Sequence, residues 1–366
     1  MQRHRGIEVR VVSTFEDFME LCREWNDLLA LSDTDRVFLR HEWFAAWWRA
    51  FGAGKDIFVI IVESDDGICA IAPLMRCHGS FRGVPVRSVE FISNNDSPAC
   101  GFILRRNHEY AAGDIMSFLM DGALEWDMLF LRNMVHSDAV SSEIMKALDS
   151  AGRRYIVRPG LSSPYLTMDK DWDEYFKGLS SKSRKTIRNV CNRIRRLGDV
   201  EVRECGDVEG FDDMVPVSEM GWKYREGKSF VNRPDRLRFF RLLSDTAASK
   251  GWLSIWYVYM NGDPIAYEYH LKYKGMDTAL LSEFNSDYGR FSPGTYLDYE
   301  IIKSLFANGI REYDMCGVLD EYKKKWTDSV RDYKNLMVFN DTLYSRFLYF
   351  IEDKPVRLIR RFRDKV

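Results

Sequence analysis

The chain has 366 residues and a formal net charge of -2, with 46% hydrophobic and 14% aromatic residues. This length allows two domains with separate cores, and the small net charge gives no global attraction to nucleic acid. Seven cysteines are scattered without any Cys-x-x-Cys pair, a pattern that argues against structural zinc and favours a reducing cytoplasm.

The sequence predicts neither a membrane-spanning helix nor a secretory signal. No apolar run approaches the ~20 residues that a membrane-spanning helix needs. The start, Met1 to Glu8, contains basic residues without an apolar segment behind them, so no secretory signal is expected. The sequence therefore predicts a cytoplasmic protein, and we expect neither a metal nor a redox cofactor.

The first half shows a regular order of predicted elements. Two apolar strands flank the turn Asp65-Asp66-Gly67, and a strand, a helix, a strand, a helix and a strand follow. These elements are 56–62, 68–75, 87–93, 110–123, 127–131, 138–151 with Asp138 as its cap, and 154–157. The order is that of an α/β unit.

A basic segment separates the two halves. Residues 171–197 have apolar side chains at steps of three and four, which predicts a helix. Eight cations and no acidic residue lie between Lys177 and Gly198. Such a run could contact a polyanion, or it could be a solvated helix face. We carry Arg184 and Arg188, which lie one turn apart, as predicted substrate contacts.

The second half repeats the order of elements. Strands 252–260 and 264–272 flank the turn Asn261-Gly262-Asp263, and a third strand covers 278–284. A loop then leads into a helix with apolar residues at helical spacing. We therefore predict a mixed α/β fold made of two tandem copies rather than two unrelated domains.

The loop before that helix has the composition of an anion site. The first turn of a helix offers unpaired N–H groups and a partial positive charge, which suit phosphate oxygens. Gly294 would allow close approach to the backbone, Pro293 is tolerated in a first turn, and Arg290 adds a charge. An ordinary loop that opens a surface helix is the alternative.

Gly251 to Phe339 resembles the catalytic domain of the GNAT superfamily, in its CelD-like and Fem-like branch. The matching residues are Gly262, Pro264-Ile-Ala266, Ser292-Pro293-Gly294, Gly309, Tyr313-Asp314, Gly317, Tyr322-Lys323 and Trp326. The resemblance implies tandem GNAT-like domains with a degenerate N-terminal copy, and acyl-coenzyme A as co-substrate. It assigns the coenzyme to Arg290, Ser292, Pro293, Gly294, Thr295 and Lys323, and Asp96 of the degenerate copy to the acceptor substrate.

Acyl transfer to an amine needs a base, a donor for the oxyanion and an acid for the thiolate. Glu268 and His270 lie on one face of a predicted strand and are our candidate base pair; Glu283 could join them. Tyr296 and Tyr313 are candidate thiolate acids. Asp314 either orients the acceptor or caps the loop that follows it.

The C-terminal segment 343–366 interleaves bulky apolar with cationic residues. This composition suits either an interfacial helix on an anionic membrane or a terminal helix packed on its domain. The first reading predicts a long-chain acyl group transferred to a lipid, sphingoid-type amine. Alternatives are transfer to a sugar in surface-polysaccharide synthesis, Fem-like use of aminoacyl-tRNA, and a non-catalytic binding module; other nucleic acids are not expected.

Four segments follow from these patterns. They are a GNAT-like domain at 1–160, a basic connecting segment at 161–205, a catalytic domain at 206–342 and a basic amphipathic tail at 343–366.

Overall fold

The computed structural model describes residues 6–122, 124–135 and 137–363. The chain forms two compact units: unit 1 comprises residues 1–160 and 333–366, and unit 2 comprises 161–332. This division differs from the expected segments in two respects. The basic segment is an integral part of unit 2, and residues from Tyr333 onward belong to unit 1.

Unit 1 begins with a strand and three helices that were not among the predicted elements. Its elements, in chain order, are β1 (Glu8–Val12), α1 (Phe15–Glu20), α2 (Cys22–Ala30), α3 (His41–Phe51), β2 (Lys55–Ile57), β3 (Val59–Ser64), β4 (Gly67–Ala72), β5 (Leu74–Phe81), β6 (Val84–Phe91), β7 (Ile103–Leu104), α4 (Tyr110–Met120), β8 (Met128–Met134), α5 (Asp138–Ser150) and the first part of β9 (Arg154–Thr167).

Unit 2 takes the end of β9 and continues through seven helices and five strands before the chain returns to unit 1. These elements are α6 (Trp172–Gly178), α7 (Ser181–Ile194), β10 (Val200–Cys205), α8 (Glu209–Asp212), α9 (Met214–Glu219), α10 (Trp222–Arg225), α11 (Pro234–Ser249), β11 (Leu253–Met260), β12 (Asp263–Tyr273), β13 (Met276–Phe284), α12 (Pro293–Ala307) and β14 (Glu312–Asp314). The chain ends with β15 (Val330–Phe339) and α13 (Leu343–Arg363).

The strands of unit 1 form two groups. One has the order β1-β3-β4-β7, and the other the order β15-β8-β6-β5-β2, in which β6 and β8 are parallel. Each of the first two predicted strands is broken, at Phe58 and at Pro73, and its two parts enter different groups. A hydrophobic period cannot reveal such a crossover, because both parts are equally buried.

Three predicted helices have different limits in the structure. The cap of α5 is Ser137, whose hydroxyl accepts a hydrogen bond from the Val140 N–H, and not Asp138. Helix α4 ends at Met120, and residue 123 of its predicted span lies outside the described residues. The helix predicted over 171–197 is two helices, because Leu179 is extended and Ser180 caps a new helix through the Ser183 N–H.

The sheet of unit 2 has the order β10-β11-β12-β13-β14-β9. Its parallel pair β13–β14 is short, since the ladder joins only Met276–Thr278 to Glu312–Asp314. Strand β13 continues to Phe284 while β14 ends, so a gap opens beside the second half of β13. Helices α7 and α12 pack on one face of this sheet around Leu297 and Ile301.

Both units therefore place antiparallel strands before a helix and a parallel strand after it, with α4 in unit 1 and α12 in unit 2. The mixed α/β fold with two tandem copies is confirmed. Along the described part of the chain, no helix combines the length and the apolar character that crossing a membrane requires.

Candidate active site

Helix α12 begins with an uncapped first turn. Ser292, which precedes it, has φ 60 and ψ 57, a left-handed conformation that is uncommon for a residue with a side chain. Its hydroxyl makes no capping hydrogen bond, and Pro293 supplies no N–H. The N–H groups of Gly294 and Thr295 therefore have no partner within the helix and remain available to an acceptor such as a phosphate oxygen.

A cavity of about 610 Å³ adjoins this helix start. Its wall combines the loop before α12 with β12, β13, α10 and the segment after β14. The residues that line it include Lys223, Glu268, Ser282, Glu283, Ser292, Gly294, Thr295, Asp298 and Tyr322. The structure thus brings together five of the predicted site residues: Glu268, Glu283, Ser292, Gly294 and Thr295.

Glu268 is the first link of a buried chain of charges behind the cavity wall. Its Oε2 lies 3.0 Å from Nε2 of His270, and Nδ1 of His270 lies 2.5 Å from Oδ1 of Asp277. Burial alone would lower the pKa of His270, but the charge and hydrogen bond of Asp277, with those of Glu268, raise it to about 9. His270 is therefore an imidazolium at neutral pH.

This charge state changes the predicted role of His270. The ring is fully buried, does not line the cavity and already carries its proton, so it is not suited to accept one from a substrate. It holds the carboxylate of Glu268 in place and compensates its charge. Of the predicted base pair, only Glu268 reaches the cavity.

Asp298 on α12 is a site residue that sequence reasoning missed. Burial, and then the adjacent charge of Glu268, raise the pKa of Asp298 well above its usual range, which favours the protonated form. Its Oδ2 accepts a hydrogen bond of 3.3 Å from the indole N–H of Trp326. A protonated Asp298 can donate to Glu268, so the pair resembles two carboxyl groups that share one proton.

Glu283 is the second carboxyl group at the cavity. Its Oε1 accepts a hydrogen bond of 2.9 Å from the Ser229 hydroxyl, while its buried Oε2 has no partner among the described residues. Burial raises the pKa of Glu283, and the neighbouring charge of Lys223 partly opposes that shift. An unpartnered buried carboxylate oxygen is costly unless a ligand supplies the missing donor.

The remaining catalytic candidates do not line this cavity. Tyr296 packs beneath the guanidinium of Arg195 on α7, away from the cavity. The hydroxyl of Tyr313 lies 3.4 Å from Glu268. Asp314 accepts hydrogen bonds from the Ser163 hydroxyl and the Cys316 N–H and pairs with Arg331, as the loop-capping alternative predicted.

Three predicted coenzyme contacts do not line the cavity. Arg290 is exposed, with its guanidinium over the ring of Phe291. Pro293 is buried at the first helical position, as its lack of an N–H allows. Lys323 donates a hydrogen bond of 2.6 Å to the Cys316 carbonyl. A nearer cation is Lys325, whose Nζ lies 3.2 Å from Thr295 Oγ1.

The predicted acceptor contacts are dispersed. Asp96 belongs to unit 1, where its N–H bonds to the side chain of Asn94. Arg184 and Arg188 lie on α7 outside the cavity wall, and Arg188 stacks over Phe176. Their role in substrate binding stays a prediction.

Of the site residues that sequence reasoning missed, Asp298 had a weak signal in the sequence. Asp298 lies three and four positions before Ile301 and Ile302, within the apolar stripe of α12; a carboxyl group there has to be buried. Lys223 and Tyr322 lie in segments without any period.

Among the described residues, no cluster of His, Cys, Asp and Glu has the arrangement needed to hold a metal ion.

The segment that contains this site is similar to a known protein family. Residues 181–324 match the family model described as "Acetyltransferase (GNAT) domain". Comparison with curated protein sequences gives no significant match. The matched segment contains the helix start, the carboxyl groups of Glu268, Glu283 and Asp298, and the basic helix α7.

Solved structures resemble the fold over almost the whole chain. FemX shares 12% identity at a TM-score of 0.62, over 94% of this chain and 100% of that one. A conserved protein of unknown function from Bacteroides thetaiotaomicron shares 10% identity at a TM-score of 0.57, over 91% of this chain and 100% of that one. A third structure is the C-terminal domain of a protein from Agrobacterium fabrum that is named as a lysylphosphatidylglycerol synthetase. It shares 16% identity at a TM-score of 0.54, over 93% of this chain and 96% of that one. At these identities the similarity concerns the fold.

Proposed function

Since residues 181–324 form an acetyltransferase domain of the GNAT family, we propose that this chain transfers an acyl group from acyl-coenzyme A to an amine. The observation that carries the proposal is the position of Glu268 and Asp298 in one cavity with the uncapped start of α12. One end of the cavity offers N–H groups for a diphosphate, and the other offers a base for an amine.

The chemistry follows from these groups. The acceptor enters as an ammonium ion, and Glu268 takes one proton from it. The freed nitrogen attacks the thioester carbonyl, and the C–N bond forms. The C–S bond then breaks, the nitrogen loses its second proton, and coenzyme A leaves as a thiolate that takes up one proton in turn. The hydroxyl of Tyr322, which lines the same cavity, is a candidate donor for that proton. Asp298 and the His270 imidazolium keep Glu268 oriented toward the amine.

A charge reversal at the helix start tests the donor assignment. A Cβ on Gly294 would meet no atom within 4 Å, so Gly294→Glu should fold normally and place a carboxylate beside the expected diphosphate. We expect its dissociation constant for coenzyme A to rise at least about tenfold, or ~1.4 kcal/mol. Calorimetric titration with coenzyme A, acetyl-coenzyme A and palmitoyl-coenzyme A measures this and compares acyl lengths.

Gly294→Gln is the matched control, because it has the same size without the charge. It should bind coenzyme A more tightly than Gly294→Glu does, and any loss that the two variants share measures the effect of side-chain size alone. Equal affinity in all three proteins, or no binding of any coenzyme A species to the wild type, would refute the donor assignment.

The acceptor that we propose is a lipid amine at a membrane surface. The first turns of α13 expose Leu343, Tyr344, Phe347 and Phe350, which lie at spacings that put them on one side of the helix. In the sequence, five cations follow between Lys354 and Arg363; their side chains lie outside what the structure describes. An exposed apolar face followed by cations suits an anionic lipid surface.

Phe347→Ser combined with Phe350→Ser tests this assignment. In sedimentation with vesicles of phosphatidylcholine and phosphatidylglycerol, the double variant should bind at least tenfold more weakly, since burial of each Phe contributes about 1.5–3 kcal/mol. Leu31→Ser, which alters another exposed apolar residue of unit 1, should bind as the wild type does. Wild-type protein that stays in the supernatant at low salt would refute membrane binding.

A further inference from the structure

A second cavity, of about 230 Å³, adjoins the proposed active site in unit 2. Three cationic side chains line it: Lys223 from α10, Arg236 from α11 and Lys323 from the segment after β14. They come from three separate elements, so no single sequence pattern groups them. Their convergence on so small a volume is a feature of the folded unit alone.

The two lysines are held by neutral partners. Nζ of Lys223 donates to the Ser282 carbonyl at 2.8 Å, and Nζ of Lys323 donates to the Cys316 carbonyl at 2.6 Å. Neither forms an ion pair within the described residues. Lys323 is only 6% exposed, and a buried ammonium group without a counter-ion is costly. Each ammonium also has donors to spare beyond the one carbonyl.

Burial has a measurable effect on Lys223. It lowers the pKa of this lysine; the charge of Glu283 opposes the shift, Arg236 and Lys323 add to it, and Glu268 opposes it more weakly. An anion bound among the three cations would remove this repulsion. The arrangement is therefore one in which a ligand supplies the missing negative charge.

The second cavity continues the first one. Five residues line both: Lys223, Glu268, Ser282, Asp298 and Tyr322. The carboxyl groups of Glu268 and Asp298 thus lie between the start of α12 on one side and the lysines on the other. Glu283, whose Oε2 lacks a donor among the described residues, faces the first cavity.

We propose that the second cavity binds an anionic group, phosphate or carboxylate, that the acceptor carries a few atoms from its amine. Lys223 and Lys323 hold the anion, and Glu268 and Glu283 hold the ammonium. The inference rests on the proposed function and narrows its substrate class: the acceptor is zwitterionic, and a simple alkyl amine or an unmodified sphingoid base lacks the group that the lysines bind. Phosphate could come from a free metabolite or from a lipid headgroup.

Calorimetry on the full chain, with and without saturating coenzyme A, tests the proposal. The probes are O-phosphoethanolamine, β-alanine, neutral ethanolamine and monomeric dihexanoyl phosphatidylethanolamine. We expect at least one anionic amine to bind about tenfold or more tightly than ethanolamine, since charge-assisted hydrogen bonds to an anion are the strong ones. Tighter binding of the phosphatidylethanolamine assigns a lipid headgroup, and tighter binding of the small molecules assigns a free metabolite.

Lysine variants locate the binding. Lys223→Met and Lys323→Met should each weaken the preferred anionic amine at least about fivefold and leave ethanolamine unchanged. Lys324→Met is the matched control, because Lys324 is the neighbouring lysine but is exposed and paired with Glu321. Lys323 also holds the Cys316 carbonyl, so circular dichroism verifies folding, and Lys223→Met provides an independent variant.

Three results would overturn the inference: equal affinity for ethanolamine and the anionic amines, no detectable binding of any anionic amine at millimolar concentration, or loss of its binding when coenzyme A saturates the protein. The last would assign the lysines to the donor. Absence of coenzyme A binding would instead refute the proposed function, and the titrations without coenzyme A would still report on the anion site.

Discussion

Replacement of Glu268 by glutamine is expected to lower kcat by about 10²–10⁴-fold, the range typical of a lost general base. The amide keeps the size of the side chain and can still accept a hydrogen bond from the His270 imidazolium, which lies 3.0 Å away. It cannot take the proton of an ammonium ion. Release of the coenzyme A thiol, followed with a colorimetric thiol reagent, measures turnover. Affinity for coenzyme A should stay nearly unchanged, because the substitution leaves the N–H groups at the start of α12 intact.

Glu300→Gln is the matched control for this experiment. Glu300 lies on α12, two residues after Asp298, but it pairs with Arg195 at 2.8 Å and does not line the cavity. Its variant should turn over as the wild type does. Unchanged turnover in Glu268→Gln would contradict the assignment of the base and direct attention to Glu283, the other carboxyl group at the cavity.

Local sequence patterns were sufficient for the parts of unit 2 that build the site. The hairpin around Asn261-Gly262 and the helix after Pro293 each depend on neighbours in sequence, and both occur as predicted. The face shared by Glu268 and His270 also follows from strand alternation alone. The elements β1, β10 and α8–α11 were missed. All except α11 have only four to six residues, which is too few to establish a period.

The charge states of the site could not be read from the sequence. His270 was predicted as a base because it shares a strand face with Glu268. Its protonation depends on Asp277, which lies seven residues away and meets the ring only because β12 pairs with β13. The protonation of Asp298 likewise depends on Glu268, from a different element.

The role of the basic helix could not be read from the sequence either. Its cations suggested a polyanion contact, yet several of them serve unit 2 itself. Arg195 pairs with Glu300, and Arg193 donates to the Phe291 carbonyl in the loop before α12. The helix thereby supports the predicted phosphate loop. Of the cations that point to a ligand, Lys223 lies outside any charge run, and Lys323 begins a run of only three lysines.

The Asp277–His270–Glu268 chain is expected to make stability fall in alkaline solution. The pKa of His270 is about 9 in the folded protein against an ordinary 6.5, so its protonation stabilises the fold fully below pH 6.5. That stabilisation is lost as pH rises through 9. The shift between these two pKa values corresponds to roughly 3 kcal/mol of folding free energy. Solvent screening reduces it little, because the ring is fully buried. Urea unfolding at pH 6, 7.5 and 9.5 measures it.

Asp277→Asn separates this effect from other titrations. The amide keeps the shape of the side chain but removes the main charge that raises the pKa of His270. The variant should therefore be less stable than the wild type at pH 6, and the gap should narrow by pH 9.5. NMR of the imidazole protons provides a direct reading, with a midpoint near 9 that falls in the variant. Parallel pH profiles of stability in the two proteins would show that His270 is neutral in the fold, and Glu268 would then lose the imidazolium that holds it beside the amine.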